Sequence, residues 1–211
     1  MKQYHKIINV WNRDPNDKHR TLIENSWATE DFAYLANNEW TCTEKVDGTN
    51  IRVIIDNDGS VEFRGKTDNA QIPPMLVKAL EEKFPKEITE KIRDTFGFGV
   101  TLYGEGYGAK IQKGGGNYRS DQGFVLFDIN VDGIWLRRHA ILDIAHSFNI
   151  GFVPIIKSCT LHEAIEIARK GFDSRWGDFP AEGLICKPSV EMNNRLGQRI
   201  ITKIKTKDFK C

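Results

Sequence analysis

The sequence predicts an α+β fold with largely antiparallel sheet, on three observations. Hairpin-type turns, Val46-Asp47-Gly48 and Asn57-Asp58-Gly59, separate short alternating or β-branched runs. Helical stripes stand apart from those runs: Leu76, Leu80 and Phe84; Ile141, Ile144, Ala145 and Phe148; Ala164, Ile165 and Ala168. Strand and helix signals alternate irregularly, without the regular spacing of βαβ units.

Taken in order, residues 12–20 are polar and turn-rich, and Thr29 or Asp31 starts a short helix through Ala36. Strands are expected over Trp40–Lys45, Asn50–Asp56 and Val61–Arg64. Pro73-Pro74 opens one short helix, and Pro85 opens another that runs to about Arg93. Strand signals return at Val100–Tyr103 and Phe124–Ile129, on either side of a glycine-rich loop. Helices over Arg138–Phe148 and Leu161–Lys170 follow, and the chain closes on strand-like Leu184–Lys187 and Arg199–Lys205. No internal repeat or low-complexity tract is present.

A chain of 211 residues, 40% hydrophobic and 28% charged, has a globular composition. That composition excludes a disordered chain, a collagen-like repeat and a coiled coil. The longest stretch without Asp, Glu, Lys or Arg, Ile144 to Ile156, contains His146, Asn149 and Pro154. A spanning helix needs roughly 20 apolar residues, so no membrane partner is expected. The N-terminus lacks the apolar core of a signal peptide, and Cys42, Cys159, Cys186 and Cys211 form no Cys-x-x-Cys pair. Both features predict a cytoplasmic, reducing location and no structural zinc site. The formal charge of +1 conceals an asymmetry: residues 179–211 carry seven Lys/Arg against three acids, net +4, leaving −3 for the rest. A basic end of this kind suits a phosphate-bearing partner.

The chemistry-bearing residues fall in five segments. Glu44-Lys45-Val46-Asp47-Gly48-Thr49-Asn50 places a lysine at a strand end before a tight turn. An amine attacks only when neutral, which at an ordinary lysine pKa near 10.4 costs about 4.6 kcal/mol at pH 7. Nearby cations or burial lower that cost. Leu102-Tyr103-Gly104-Glu105-Gly106-Tyr107-Gly108 sets a lone carboxylate at a strand end among glycines, where backbone approaches a ligand closely. Phe124–Ile129 ends an apolar strand in Phe127-Asp128, and Glu182–Pro188 brackets another between Glu182 and Lys187. In Ile201-Thr202-Lys203-Ile204-Lys205, alternation points both lysines to one face.

In this order and at these spacings, across residues 44–205, the segments resemble the motifs of the covalent nucleotidyltransferase superfamily: ATP-dependent DNA and RNA ligases and mRNA capping guanylyltransferases. Asn50, where DNA ligases usually carry Arg, and the Phe127-Asp128 pair are similar to RNA ligases of the T4 RNA ligase 2 type. The resemblance implies an ATP-grasp-like nucleotidyltransferase fold of mostly antiparallel sheets flanked by helices, and the chain is expected to be one such domain over 1–211 with no separate C-terminal domain. It implies ATP as cofactor and Lys45 as the nucleophile that forms lysyl–AMP. AMP would then pass to a 5′-phosphate, which is joined to a 3′-hydroxyl in RNA repair or nick sealing.

The same resemblance assigns Glu44 to reading adenine and Phe127 to stacking on it. Asn50 and Arg64 would contact the phosphate and ribose side, Glu105 the ribose, Lys187 a phosphate, and Lys203 and Lys205 the triphosphate. Asp47, Glu105 and Glu182 would converge on Mg²⁺, with Mn²⁺ as an alternative, often through water. Implied partners are RNA or a nicked nucleic-acid duplex, and an accessory protein or domain that supplies substrate grip. A compact DNA ligase, a capping-type guanylyltransferase and a non-catalytic nucleic-acid-binding module remain open as alternatives. Gly104-x-Gly106-x-Gly108 is no Rossmann fingerprint, since no βαβ unit surrounds it.

Overall fold

The computed structural model describes residues 3–209, so Lys210 and Cys211 lie outside the described residues. The elements run β1 (Ile8–Asn9), β2 (Trp11–Arg13), β3 (Leu22–Trp27), α1 (Glu30–Leu35), β4 (Trp40–Glu44), β5 (Thr49–Ile55), β6 (Val61–Arg64), α2 (Pro74–Lys83) and α3 (Lys86–Phe96). They continue β7 (Val100–Gly108), α4 (Gly115–Tyr118), β8 (Gln122–Val131), β9 (Ile134–Trp135), α5 (Arg138–Ser147), β10 (Ile155–Cys159), α6 (Leu161–Lys170), β11 (Gly183–Pro188) and β12 (Thr202–Lys205). Among the described residues, the named strands pair antiparallel except β1 with β12, and Leu126 adds an isolated parallel bridge to Phe152, as suits the α+β reading. The chain divides into two compact units, one of Asp47–Val153 together with Tyr4, the other of His5–Val46 and the residues from Pro154 onward.

The first unit is built on a five-stranded sheet of order β6-β5-β7-β8-β9. Strand alternation sends Ile51, Val53, Ile55, Val100, Leu102 and Leu126 to one face, where Leu76, Leu80 and Phe84 of the α2 segment, Ile92 of α3 and Ile141 of α5 cover them. Gly104 and Gly106 of β7 lie against this core. A Cβ on Gly104 would lie 2.3 Å from the Phe124 ring, and one on Gly106 would lie 2.4 Å from Leu76 Cδ2. They make room for apolar side chains rather than for a ligand, which corrects the sequence expectation. Glu105 correspondingly sits within β7, not at a strand end.

The second unit carries a five-stranded sheet of order β1-β12-β11-β4-β10 and a small β2–β3 ribbon that the polar 12–20 segment did not announce. Trp40, Cys42, Leu184, Cys186 and Ile204 face a core completed by Leu161, Ala164, Ile165 and Ala168 of α6. A capping box starts α6: Thr160 Oγ1 accepts from the Glu163 N–H, and Glu163 Oε2 accepts from the Thr160 N–H at 2.9 Å. Such a cap contributes about 0.5–2 kcal/mol. The last strand is shorter than expected, because Asn193 and Arg199 bridge and residues 194–198 close a turn on Asn194.

Three thiols stack across this core, Cys42 Sγ standing 3.1 Å from Cys186 and 3.9 Å from Cys159. Contact with Cys42 and burial push the Cys159 thiol up. The Cys186 contact and burial push Cys42 up as well, against the opposing pull of Cys159. Burial keeps reagents from all three thiols, and the raised values further weaken Cys42 and Cys159 as nucleophiles. Native protein treated with iodoacetamide at neutral pH is therefore expected to leave Cys42, Cys159 and Cys186 unmodified until it unfolds, which peptide mass mapping reads directly. Stoichiometric alkylation of any of the three before unfolding contradicts this packing.

Candidate active site

In the second unit, one sheet face gathers the cationic candidates. Register pairs Ile185 with both Thr43 and Lys203, and Gly183 with Lys205. Since Cys42, Leu184, Cys186 and Ile204 point to the core, Thr43, Lys187, Lys203 and Lys205 point the other way. Lys45 follows β4, its N–H donating to Gly183 O at 2.8 Å. Its Nζ lies 2.6 Å from Glu182 Oε2, and Lys205 Nζ lies 3.0 Å from Glu182 Oε1. Glu182 thus holds two ammonium groups at once. The three side chains keep only 15–22% of their surface exposed, so the pairing is stronger than at an open surface.

Glu44, one residue before Lys45, points into the opposite side and is 1% exposed. Its Oε1 accepts from the Ser174 hydroxyl at 2.6 Å, and its Oε2 accepts from the Arg175 N–H at 2.8 Å. Ser174 Oγ in turn accepts from the Trp176 N–H. Both carboxylate oxygens therefore fasten the 174–176 turn. Burial raises the Glu44 carboxyl above its usual range, and the bonds from Arg175 and Ser174 offset part of that shift.

In the first unit, Asn50 on β5 pairs directly with Glu105 on β7, both half-buried on the face away from the core. Asn50 Oδ1 is buried and has no hydrogen-bond partner, an acceptor ready for a hydroxyl or amine. Phe127 lies at a bulge where the β7–β8 register shifts, half-buried. Asp47 donates its N–H to Tyr118 OH, while its carboxylate makes no ion pair among the described residues. Gly48 cannot carry a side chain: a Cβ there would lie 2.3 Å from Gly106 O. Arg64 is engaged by the Glu62 carboxylate and the Asp68 carbonyl.

Among the described residues, no group of three or more His, Cys, Asp or Glu is placed to hold a metal ion. The set expected for Mg²⁺ is thus no protein-only metal centre. Sequence reasoning also missed several residues. Arg52 is 1% exposed, gives Nε–H to Gly65 O and pairs with Asp68 at 2.7 Å. A lone charge inside the β-branched run Thr49–Ile55 was its only signal. Gln112, which donates to Gly48 O, and Tyr118 come from the glycine-rich loop. Tyr4 and Ser174 carried no sequence signal.

The pH dependence follows from Glu44. Its raised value means that folding favours the protonated form. Its contribution to stability is greatest below the ordinary carboxylate range and is lost as pH rises through the raised value. Above that, the buried charge is a constant cost. In Glu44→Gln, the melting temperature relative to the parent is expected to climb across the weakly acidic range and then level off. A difference independent of pH from about 4 to 8 removes this account.

Comparison with known proteins places this geometry in context. The family model described as RNA ligase matches residues 38–205. No curated protein shows significant similarity. A Naegleria gruberi RNA ligase variant with ATP and Mn superposes with a TM-score of 0.68 at 17% identity, covering 97% of this chain and 56% of that one. The same enzyme with PPi gives 0.67 at 18% identity, covering 97% and 56%. A further variant with ATP and Mn gives 0.66 at 19%, covering 84% and 52%. These likenesses show a shared fold, and the chain spans about half the length of those ligases. A match over most of the chain, with every segment from Glu44 to Lys205, shows that the chain belongs to the RNA ligase family.

Proposed function

We propose that this chain is an ATP-dependent RNA ligase of the T4 RNA ligase 2 type, acting as one nucleotidyltransferase domain, with Lys45 as nucleophile. The observation that carries the reading is Lys45 held by Glu182 on a sheet face shared with Lys187, Lys203 and Lys205. Lys45 Nζ attacks the α-phosphorus of ATP. The N–P bond forms, the bond to the bridging oxygen breaks, pyrophosphate leaves and the amine loses its proton. An RNA 5′-phosphate oxygen then takes the AMP from the lysine, and a 3′-hydroxyl displaces the AMP to form the phosphodiester. Lys187, Lys203 and Lys205 offset the charge on the transferring phosphates.

In the first unit, Phe127 stacks on adenine, and Glu105 and Asn50 take the ribose. The unpartnered Asn50 Oδ1 suits a hydroxyl donor and cannot accept from a phosphate oxygen. Arg64 serves the phosphate side, and Glu44 sets the adenine-reading strand end through its buried bonds. A divalent ion, Mg²⁺ or Mn²⁺, would supply charge neutralisation at the phosphates. Asp47, whose carboxylate makes no ion pair among the described residues, fits it best, with Glu105 and Glu182 acting through water. Mg²⁺ keeps several waters, so sparse protein oxygens are compatible with it. The ATP, Mn and PPi in the Naegleria gruberi structures support this cofactor set. RNA or a nicked duplex is the partner, and an accessory protein or domain supplies further grip.

Incubation with ATP and Mg²⁺ is expected to add about one AMP per chain by intact mass, and Lys45→Ala to remove the adduct while the fold persists. An adduct on Lys45→Ala places the nucleophile elsewhere, and labelling by GTP in place of ATP moves the assignment to capping chemistry. In Glu182→Ala the two lysines lose their shared carboxylate, and adduct formation is expected to slow by about tenfold or more. Parental rates in that variant show that Glu182 does not position Lys45.

A further inference from the structure

Tyr4 lies outside the stretch matched by the family model, yet only 7% of it is exposed. Its hydroxyl donates a 2.6 Å hydrogen bond to Asp128 Oδ2, and Asp128 is fully buried. Its ring meets that of Phe127 edge-to-face, with centroids 5.1 Å apart and planes at 74°. Tyr103 at 5.3 Å and Trp135 at 5.6 Å pack against Tyr4 as well. All five residues belong to the first unit.

The β8 bulge makes this arrangement possible. Leu126 points to the core, and the register shift then lets Phe127 and Asp128, consecutive in sequence, both reach Tyr4. One tyrosine therefore holds both. The hydrogen bond to Asp128 fixes where the Tyr4 ring sits, and the ring fixes the tilt of Phe127. A half-buried phenylalanine without such a wall samples more rotamers, and a ligand that stacks on it must bear the ordering cost.

We propose that Tyr4 is a positioning residue that holds Phe127 in the orientation that accepts the nucleobase of ATP. This rests on the reading of Phe127 as the adenine platform. The hydroxyl bond and the ring wall are separable. Tyr4→Phe removes the hydroxyl that bonds Asp128 and keeps the ring, whereas Tyr4→Leu removes the wall too.

The test measures lysyl–AMP formation over an ATP series for the parent, Tyr4→Phe, Tyr4→Leu, Phe127→Ala and the Tyr4/Phe127 doubles, with melting temperatures alongside. Tyr4→Leu is expected to raise the KM for ATP about three- to tenfold, Tyr4→Phe less, with kcat changing less than about twofold. In the doubles, the Tyr4 change adds nothing to Phe127→Ala, because both act through one ring. A merely structural role lowers melting temperature and kcat, leaves KM alone and adds to Phe127→Ala. Additive effects on KM, or a parental KM in both Tyr4 variants, overturn the proposal. If Tyr4→Leu does not fold, Tyr4→Phe and its double complete the same cycle. A parent that forms no adduct removes the ligase reading and the clamp with it, whereas adduct formation with additive variants removes the clamp alone.

Discussion

The antiparallel pairing of β4 with β11 is the constraint on which the lysine site depends. It sets Cys42 opposite Cys186 and Leu184 opposite Glu44, and the Lys45 N–H to Gly183 O bond continues it past the strand end. Side chains alternate with period two, so a slip of one residue would carry the cysteines to the open face and the lysines into the core. Burying an unpaired ammonium is far costlier than exposing a cysteine, so the register is held from both faces. Gly183 closes the device. Its φ is +154°, and a Cβ there would lie 2.1 Å from Ile204 O, so only glycine lets β11 start beside β12 with Glu182 next to the lysines.

The two glutamates beside this register do opposite work. Glu182 stays on the cationic face, where it gathers Lys45 and Lys205. Glu44 is turned inward, and burial would be prohibitive without the donors of Ser174 and Arg175 on its two oxygens. The bonds in turn anchor the 174–176 turn to the residue adjoining Lys45. One carboxylate keeps the amine in place from the front, and the other keeps its strand end in place from behind.

The first unit positions its candidate residues by different means. Alternation on β5 and β7 puts Asn50 and Glu105 side by side, and the core glycines allow Phe124 and Leu76 to pack closely beneath them. The bulge in β8 breaks the alternation at one point and presents Phe127 and Asp128 to the same tyrosine. A regular strand would have sent one of the two into the core.

What the sequence determined by itself was local. Periodicity and turn chemistry placed α1, α2, α3, α5, α6 and the α+β class, and α6 and β6 begin and end where the pattern placed them, whereas α4 lies in the stretch read as a loop and β1, β2, β3, β9 and β10 were not anticipated. Alternation within the last strand also put Lys203 and Lys205 on one face, as the strand's register shows. The tertiary structure decided what depends on neighbours distant in the chain. Glu44 and Glu182 are both glutamates beside apolar strands, and only packing turned one into a buried anchor and the other into a partner of two lysines. Gly104 and Gly106 looked like part of a ligand-facing stretch, and only Phe124 and Leu76, brought in from β8 and α2, set them against the core. Tyr4 had no pattern around it at all, since its partner Asp128 lies 124 residues away. Contacts of that separation leave no local periodicity in the chain, and only the folded sheet brings such residues together.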